Sequence, residues 1–138
     1  MAFGRLILVA IALVTALVLD TTGACRCLYR GLCDTYEDAS VVMRGTVLSR
    51  DDGSIGDTTY TANTSTLYKG EPNVVYDQVV SFGSMTGNSC GVILTIGEEY
   101  LLFLLRSSNT VDAELSANLC SPPQVWSSVN ETELNGCS

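Results

Sequence analysis

The sequence predicts a small, mainly β domain with a short C-terminal helix, folded as a compact barrel of the OB type or as a small sandwich. Two observations lead to this prediction. About five short segments that are β-branched or alternate in hydrophobicity are separated by turn residues. Six cysteines follow an apolar leader, and residues 25–138 are a suitable length for one domain stapled by disulfides.

The leader, residues 1–24, is predicted to be a secretory signal peptide. Leu6–Leu19 is apolar except for Thr15, and it is shorter than the roughly 20 residues that a membrane-spanning helix needs. Thr22 and Ala24 place small residues at the −3 and −1 positions of a cleavage site. We therefore expect a protein secreted to the extracellular space or matrix, with no membrane span after cleavage.

Two strands are predicted in the first half of the domain. Val41–Ser49 is rich in β-branched residues, and Gly45 within it suggests a bulge. A turn and loop follow over Asp51–Thr58. Tyr60–Leu67 then alternates, in a register that would turn Asn63 toward water.

Three further strands are predicted in the second half. Val74–Phe82 alternates and leads into a small, polar loop over Gly83–Ser89. Gly91–Ile96 and Glu99–Leu105 are short apolar runs. The second of these shows no alternation, which is typical of a strand buried on both faces.

The C-terminal tail has a helical pattern. Ser121 before Pro122 is a plausible N-cap with proline in the first turn, and Gly136 could end the helix. Trp126 lies on the apolar face and is interpreted as a core anchor.

The six cysteines predict three structural disulfides. An even number in a short secreted chain is typical of a disulfide framework, although spacing alone leaves 15 connectivities. A metal site is less favoured because paired C-x-x-C motifs are absent. The cysteines are Cys25, Cys27, Cys33, Cys90, Cys120 and Cys137.

Charge and composition exclude several functions. The net charge is −8 and no basic run is present, so nucleic acid and anionic membrane surfaces are poor partners. The chain has no histidine and no glycine-rich phosphate loop, which makes an enzyme the least favoured class. Two sequons, at Asn63 and Asn130, predict N-glycosylation.

Several segments resemble the tissue inhibitor of metalloproteinases (TIMP) family. The segments that carry the likeness are Cys25-Arg26-Cys27 with Cys33, Leu67–Gly70, Ser89-Cys90-Gly91, Glu98–Leu101, and Cys120, Trp126 and Gly136-Cys137. The resemblance implies a single-domain netrin-like module, a monomer with a five-stranded OB-fold barrel. It also implies the disulfides Cys25–Cys90, Cys27–Cys120 and Cys33–Cys137.

The resemblance further implies an inhibitor of secreted or membrane-bound zinc metalloproteases. After signal cleavage, the α-amine and carbonyl of Cys25 would chelate the catalytic zinc of the protease, in trans, and the inhibitor would need no cofactor of its own. The residues expected to form the protease-contact ridge are Arg26, Cys27, Leu28, Tyr29, Asn88 and Ser89, and the Asp51–Thr58 loop is a candidate rim contact.

Two residues depart from the family pattern, and two other functions stay open. Arg26 stands where the family usually has threonine or serine, and Tyr29 stands where it tends to have proline. One alternative is a non-inhibitory netrin-like module that binds a matrix protein or growth factor. The other is a structural protein of the extracellular matrix. A free α-amine at Cys25 favours inhibition over the non-inhibitory module.

Overall fold

The computed structural model describes residues 25–54, 56–71, 77–87, 89–107 and 114–138. The predicted signal peptide therefore lies outside the described residues. Among the residues that are described, no helix has the length and apolar character needed to cross a membrane.

Five strands close into a barrel, with one further strand and short helices on its outside. The elements are α1 (Leu32–Asp38), β1 (Val41–Asp52), β2 (Thr58–Lys69), β3 (Val79–Ser84), β4 (Glu99–Arg106), β5 (Leu115–Ser116), β6 (Gln124–Val125), a 3-10 turn (Trp126–Ser128) and α2 (Glu131–Asn135). Neighbours follow the order β1-β2-β3-β5-β4, and β4 pairs back onto β1. The β3–β5 pairing is parallel and the others are antiparallel. The predicted mainly β barrel is confirmed, and ring closure distinguishes it from a sandwich.

Strand β4 is buried on both faces, as its continuous apolar sequence predicted. Tyr100, Leu102 and Leu104 belong to the cluster that fills the barrel interior. Leu101 and Phe103 point the other way, into an outer cluster covered by α1 and α2. The helices thus bury the apolar outer face of this strand, which would otherwise be exposed.

Strand β1 is regular at Gly45, where the sequence suggested a bulge, and the extra residue lies on its neighbour β2. Arg44 pairs with Thr66 and Gly45 with Thr64, so Ser65 is the bulged residue. A side chain at Gly45 would lie 3.1 Å from the backbone oxygen of Asn63 on β2, so a residue without Cβ suits the bulge. The strand runs on to Asp52, so the turn predicted from Asp51 begins later than expected.

Strand β3 matches only part of its prediction. Val80 and Phe82 are buried in the barrel, as the alternation indicated. Ser84, expected in the following loop, is the last residue of the strand. Val74 and Tyr76 lie outside the described residues.

The strand predicted over Gly91–Ile96 is wrong, because this segment joins no sheet. Its amides donate to side-chain hydroxyls instead of to a neighbouring strand, over 2.8–3.2 Å: Val92 to Ser84, Leu94 to Tyr60 and Thr95 to Tyr100. Since the hydroxyls satisfy these backbone groups, the segment needs no β partner.

Asn63 is less exposed than predicted, although its orientation agrees with the alternation: Tyr60 and Ala62 fill the barrel interior, which leaves Asn63 on the outer face. This residue lies in the central part of β2 and is paired with β1 and β3 on either side. The side chain is half-buried, and its Oδ1 is buried without a hydrogen bond from any described residue.

The C-terminal helix is shorter than predicted and begins later. After Ser121 the chain adds β6 and a 3-10 turn to the barrel. The helix α2 starts after Asn130, whose Oδ1 accepts the amide hydrogen bond of Glu133 at 3.3 Å. Trp126 is half-buried against the outer cluster, which confirms it as a packing anchor.

The sequence analysis missed α1. Its first turn is stabilised by Asp34, whose Oδ2 accepts the amide of Gly31 at 3.3 Å. At its other end the ammonium of Lys69, on β2, donates to the carbonyl oxygens of Tyr36 (2.9 Å) and Glu37 (2.6 Å). A cation at the helix C terminus stabilises carbonyls that lack a partner within the helix.

A charged pair links strands β1 and β4, and its arginine also contacts the C-terminal turn. Arg44 on β1 donates to both carboxylate oxygens of Glu99 on β4, at 2.8 and 2.9 Å. The Arg44 guanidinium also lies over the ring of Trp126, 4.1 Å from its centroid. The hydrogen bond from Arg44 lowers the pKa of Glu99, and partial burial opposes this shift.

Replacing Glu99 with glutamine should reduce stability at neutral pH and have less effect in acid. The folded-state pKa lies below the unfolded reference of about 4.3, so ionised Glu99 stabilises the fold above that pH. This contribution is lost as the pH falls through the folded pKa. Urea unfolding at pH 7 and pH 3 measures the difference, with Glu37→Gln as a control at an exposed carboxylate. An equal loss at both pH values would contradict the assignment.

Candidate functional site

Two disulfides attach the N-terminal segment, residues 25–31, to the rest of the domain, and a third joins α1 to the C-terminal end of the chain. The segment has no regular secondary structure. The three bonds join Cys25 to Cys90, Cys27 to Cys120 and Cys33 to Cys137, with Cα–Cα distances of 5.0, 5.0 and 4.8 Å. These are the pairs that the resemblance implied. They close long loops, with sequence separations of 65, 93 and 104 residues.

The first two disulfides lie side by side. The sulfur of Cys25 is 3.8 Å from that of Cys27 and 3.7 Å from that of Cys120. The three sulfur atoms lie as close together as the ligands of a metal-binding site. Metals are bound by cysteine thiolates, however, and these sulfurs are already in disulfides. The arrangement instead fixes the backbone on both sides of Arg26.

The backbone nitrogen of Cys25 is held by a side chain from the opposite segment. It donates to the hydroxyl oxygen of Ser89 at 2.9 Å. Ser89 precedes Cys90, the disulfide partner of Cys25, so a hydrogen bond and a disulfide orient the same residue. The sequence analysis placed Ser89 on the ridge, and the structure brings it to Cys25. Asn88 lies outside the described residues.

The other ridge residues project into solvent. Arg26 and Cys27 are exposed. Leu28 is 79% exposed and Tyr29 fully exposed. With Leu119 they border an open groove of about 330 Å³. Large exposed apolar side chains gathered in one place are typical of protein interaction sites.

A close backbone contact at Gly91, the glycine of the Cys-Gly pair, positions the Ser89–Cys90 segment. A Cβ on Gly91 would overlap the carbonyl oxygen of Met85 and come within 2.6 Å of the Thr86 Cα. Only a residue without a side chain allows these two stretches of backbone to approach so closely. The glycine in the Cys-Gly pair was therefore a signal for close packing behind the ridge.

The Asp51–Thr58 loop is attached to the same region. The amide of Gly87 donates to the carbonyl oxygen of Gly56 at 2.5 Å, and the Thr86 hydroxyl donates to that oxygen at 3.0 Å. A Cβ on Gly56 would lie 2.6 Å from the Gly87 Cα, so this contact also depends on glycine. The loop predicted as a rim contact is thus hydrogen-bonded to Thr86 and Gly87, which precede Ser89 in the sequence.

Comparison with protein-family models gives no match, and comparison with curated protein sequences also gives none. What the chain does is therefore inferred from the geometry of its N-terminal segment.

Proposed function

We propose that this protein is a secreted, TIMP-like inhibitor of zinc metalloendopeptidases. The observation that carries the proposal is the presentation of Cys25. Its side chain is in a disulfide with Cys90, its backbone nitrogen bonds to Ser89, and the residues after it are exposed. A residue held in this way can offer backbone atoms to a metal on another protein.

The chemistry requires a free α-amine at Cys25. A catalytic zinc ion is held by three protein ligands and keeps one position open for water or substrate. The α-amine nitrogen and the carbonyl oxygen of one residue can occupy that position as a five-membered chelate. The amine must bind deprotonated, and its reference pKa of about 7.7–8.0 makes deprotonation easy beside zinc.

The contact with Ser89 suits this chemistry. A neutral α-amine has two hydrogens and one lone pair. If one hydrogen continues to bond to Ser89, as the Cys25 amide does at 2.9 Å, rotation about the N–Cα bond is restricted and the lone pair is left for the metal. Orientation before binding reduces the entropy lost on association.

The disulfides contribute to the same preorganisation. Free N-terminal segments are usually mobile and would lose conformational freedom when bound. Here the first and third residues of the proposed mature chain, Cys25 and Cys27, are both cross-linked. An exposed ridge with a fixed backbone can bind without that loss.

The direct test measures inhibition by correctly processed protein. Protein secreted from eukaryotic cells should have a mature mass that begins at Cys25. It should inhibit at least one member of a panel of matrix, disintegrin-type and astacin-type zinc proteases, at a 1:1 ratio. Residues retained ahead of Cys25, or no inhibition across the panel, would reject the proposal in favour of a binding module or a matrix protein.

For a secreted protein, we expect the glycan at Asn130 rather than at Asn63. Asn130 is exposed on the surface and uses only its Oδ1 as a helix cap, whereas Asn63 is half-buried between strands. A glycan on the amide nitrogen leaves Oδ1 free to accept. Peptide-N-glycosidase treatment should shift the mass of the wild type and of Asn63→Gln but not of Asn130→Gln. The reverse pattern would contradict this assignment.

A further inference from the structure

The sulfurs of two disulfides are in contact at the start of the domain. The Sγ of Cys25, which is bonded to Cys90, lies 3.8 Å from the Sγ of Cys27 and 3.7 Å from that of Cys120. Cys27 and Cys120 are bonded to each other, so Cys25 lies beside both sulfurs of a disulfide to which it does not belong. Disulfides exchange when a thiolate attacks one of their sulfurs. The contact therefore places a nucleophile next to its target as soon as either bond opens.

The four cysteines differ in their exposure to solvent. Cys27 is exposed, whereas Cys25, Cys90 and Cys120 are half-buried. Because access limits the rate at which a thiol from solution attacks a disulfide, Cys27 is the sulfur that such a thiol reaches first.

Opening at Cys27 releases Cys120 as a thiolate beside Cys25. The incoming thiolate bonds to the sulfur of Cys27, and the electron pair of the broken bond stays on Cys120. From 3.7 Å, the Cys120 thiolate attacks Cys25. The new Cys25–Cys120 bond expels Cys90 as a thiolate, which takes up a proton. A second thiol then displaces the first from Cys27, so two thiols are oxidised to one disulfide and the protein gains two thiol groups.

Opening of the other disulfide leads to the same product. If a thiol attacks Cys90, Cys25 becomes the thiolate and attacks Cys120, which again forms the Cys25–Cys120 bond and expels Cys27. In both routes the attacking sulfur is held next to its target. It therefore competes with thiols in solution at a high effective concentration.

We propose that these two disulfides form a thiol-triggered switch. A low-molecular-weight thiol, attacking at Cys27, converts them into a single Cys25–Cys120 disulfide and leaves Cys27 and Cys90 as thiols. This exchange does not depend on the proposed function.

The effect of the exchange on inhibition does rest on the proposed function. In the rearranged protein Cys25 is no longer bonded to Cys90, the neighbour of Ser89, and Cys27 is no longer cross-linked. The ridge loses its preorganisation, so inhibition should weaken by roughly tenfold or more. Reoxidation should restore it.

The experiment maps the disulfides of secreted, processed protein after treatment with increasing amounts of glutathione. New thiols are trapped with N-ethylmaleimide at mildly acidic pH, and the digested protein is examined by non-reducing mass spectrometry. Trypsin cleaves after Arg26 and so separates Cys25 from Cys27. Glutamyl endopeptidase cleaves after Glu131 and so separates Cys120 from Cys137.

The switch predicts one labelling pattern. Cys27 and Cys90 should carry the label, and Cys25 should be linked to Cys120. The bond between Cys33 and Cys137, which are both half-buried, should stay intact as an internal reference.

Paired variants test whether opening of the Cys25–Cys90 bond depends on its neighbour. In Cys27→Ser/Cys120→Ser this bond should open roughly tenfold more slowly than in the wild type, because the exchange partner is absent. Cys33→Ser/Cys137→Ser is the matched control, since it removes a different disulfide and should leave that rate unchanged. If the variants do not fold, the map of the wild type still decides.

Several results would overturn the switch. Label on Cys27 and Cys120 with the Cys25–Cys90 bond intact, or the reverse, would show that the two disulfides are reduced independently. A Cys25–Cys27 bond, earlier opening of Cys33–Cys137, or resistance of all three disulfides until the protein unfolds would also contradict it.

Failure of the switch can be distinguished from failure of the proposed function. If the exchange occurs and inhibition is unchanged, the switch stands as chemistry, but the ridge does not depend on these cross-links. If the untreated protein inhibits no protease, the proposed function fails, and the labelling pattern still decides whether the exchange takes place.

Discussion

Adding one alanine ahead of Cys25 in the processed protein is expected to weaken inhibition of a zinc endopeptidase by roughly a thousandfold or more, about 4 kcal/mol. The addition converts the amine into an amide. An amide nitrogen has no basic lone pair for zinc, so the chelate loses one of its two atoms. The alanine would also occupy the space that the metal needs.

The same addition should leave the fold intact. In the unprocessed chain the Cys25 nitrogen is already an amide, and it donates to Ser89 while all three disulfides are formed. A preceding residue is thus compatible with the barrel. A loss of inhibition with an unchanged melting temperature would show that the extension removes zinc chelation without disturbing the fold.

The measurement is the inhibition constant of the extended protein beside that of the wild type and of protein acetylated at its α-amine. An alanine added after Ser138 is the matched control, since it lengthens the chain at the other end. Non-reducing mass spectrometry checks the disulfides. Unchanged potency of the extended protein would reject chelation by Cys25, however well the protein inhibits.

Four of the five barrel strands, β1 to β4, could be predicted because their signals are local, whereas the two-residue strand β5 was not predicted. The β-branched run of β1 and the continuous apolar run of β4 depend on residues that are close in the sequence. The double burial of β4 follows from its lack of alternation. These features needed no knowledge of which strands are neighbours.

Features that depend on distant partners were not predicted. The 91–96 segment has the composition of a strand, but hydroxyls from β2, β3 and β4 satisfy its amides. The helix α1 is only seven residues long, and its C-terminal end is stabilised by Lys69 from strand β2. Periodicity reports which side of an element is apolar and does not report what covers each side.

Some features of the candidate site could likewise be predicted from the sequence, and others depend on residues that are distant in the chain. Its cysteines and its exposed residues were visible in the sequence, although spacing alone left the disulfide connectivity open. The contact of Ser89 with the Cys25 nitrogen joins residues 64 positions apart, and no periodicity indicates such a contact. The close approach at Gly91 was missed because this glycine was interpreted as the first residue of a strand, and the backbone that it contacts, at Met85 and Thr86, belongs to another segment.

Replacing Gly91 with alanine is expected to have the largest effect of any single substitution near the ridge. The new Cβ would overlap the Met85 carbonyl oxygen and lie 2.6 Å from the Thr86 Cα, both of which are backbone atoms. Side chains can rotate away from a clash, but backbone must shift. We expect a loss of about 3 kcal/mol, which corresponds to a fall in melting temperature of roughly 10 °C or more.

Inhibition should weaken together with stability. A backbone shift at Gly91 moves the adjacent Cys90, and through its disulfide it disturbs Cys25. Gly31→Ala is the matched control, because there the nearest heavy atom, Asp34 Oδ2, would be 3.6 Å from the new Cβ, an ordinary contact. Calorimetry and inhibition constants for both variants test this link. If Gly91→Ala melts within about 1 °C of the wild type, which is well under 1 kcal/mol, the tight contact behind the ridge is absent. If it loses stability but inhibits normally, the position of Cys25 does not depend on that contact.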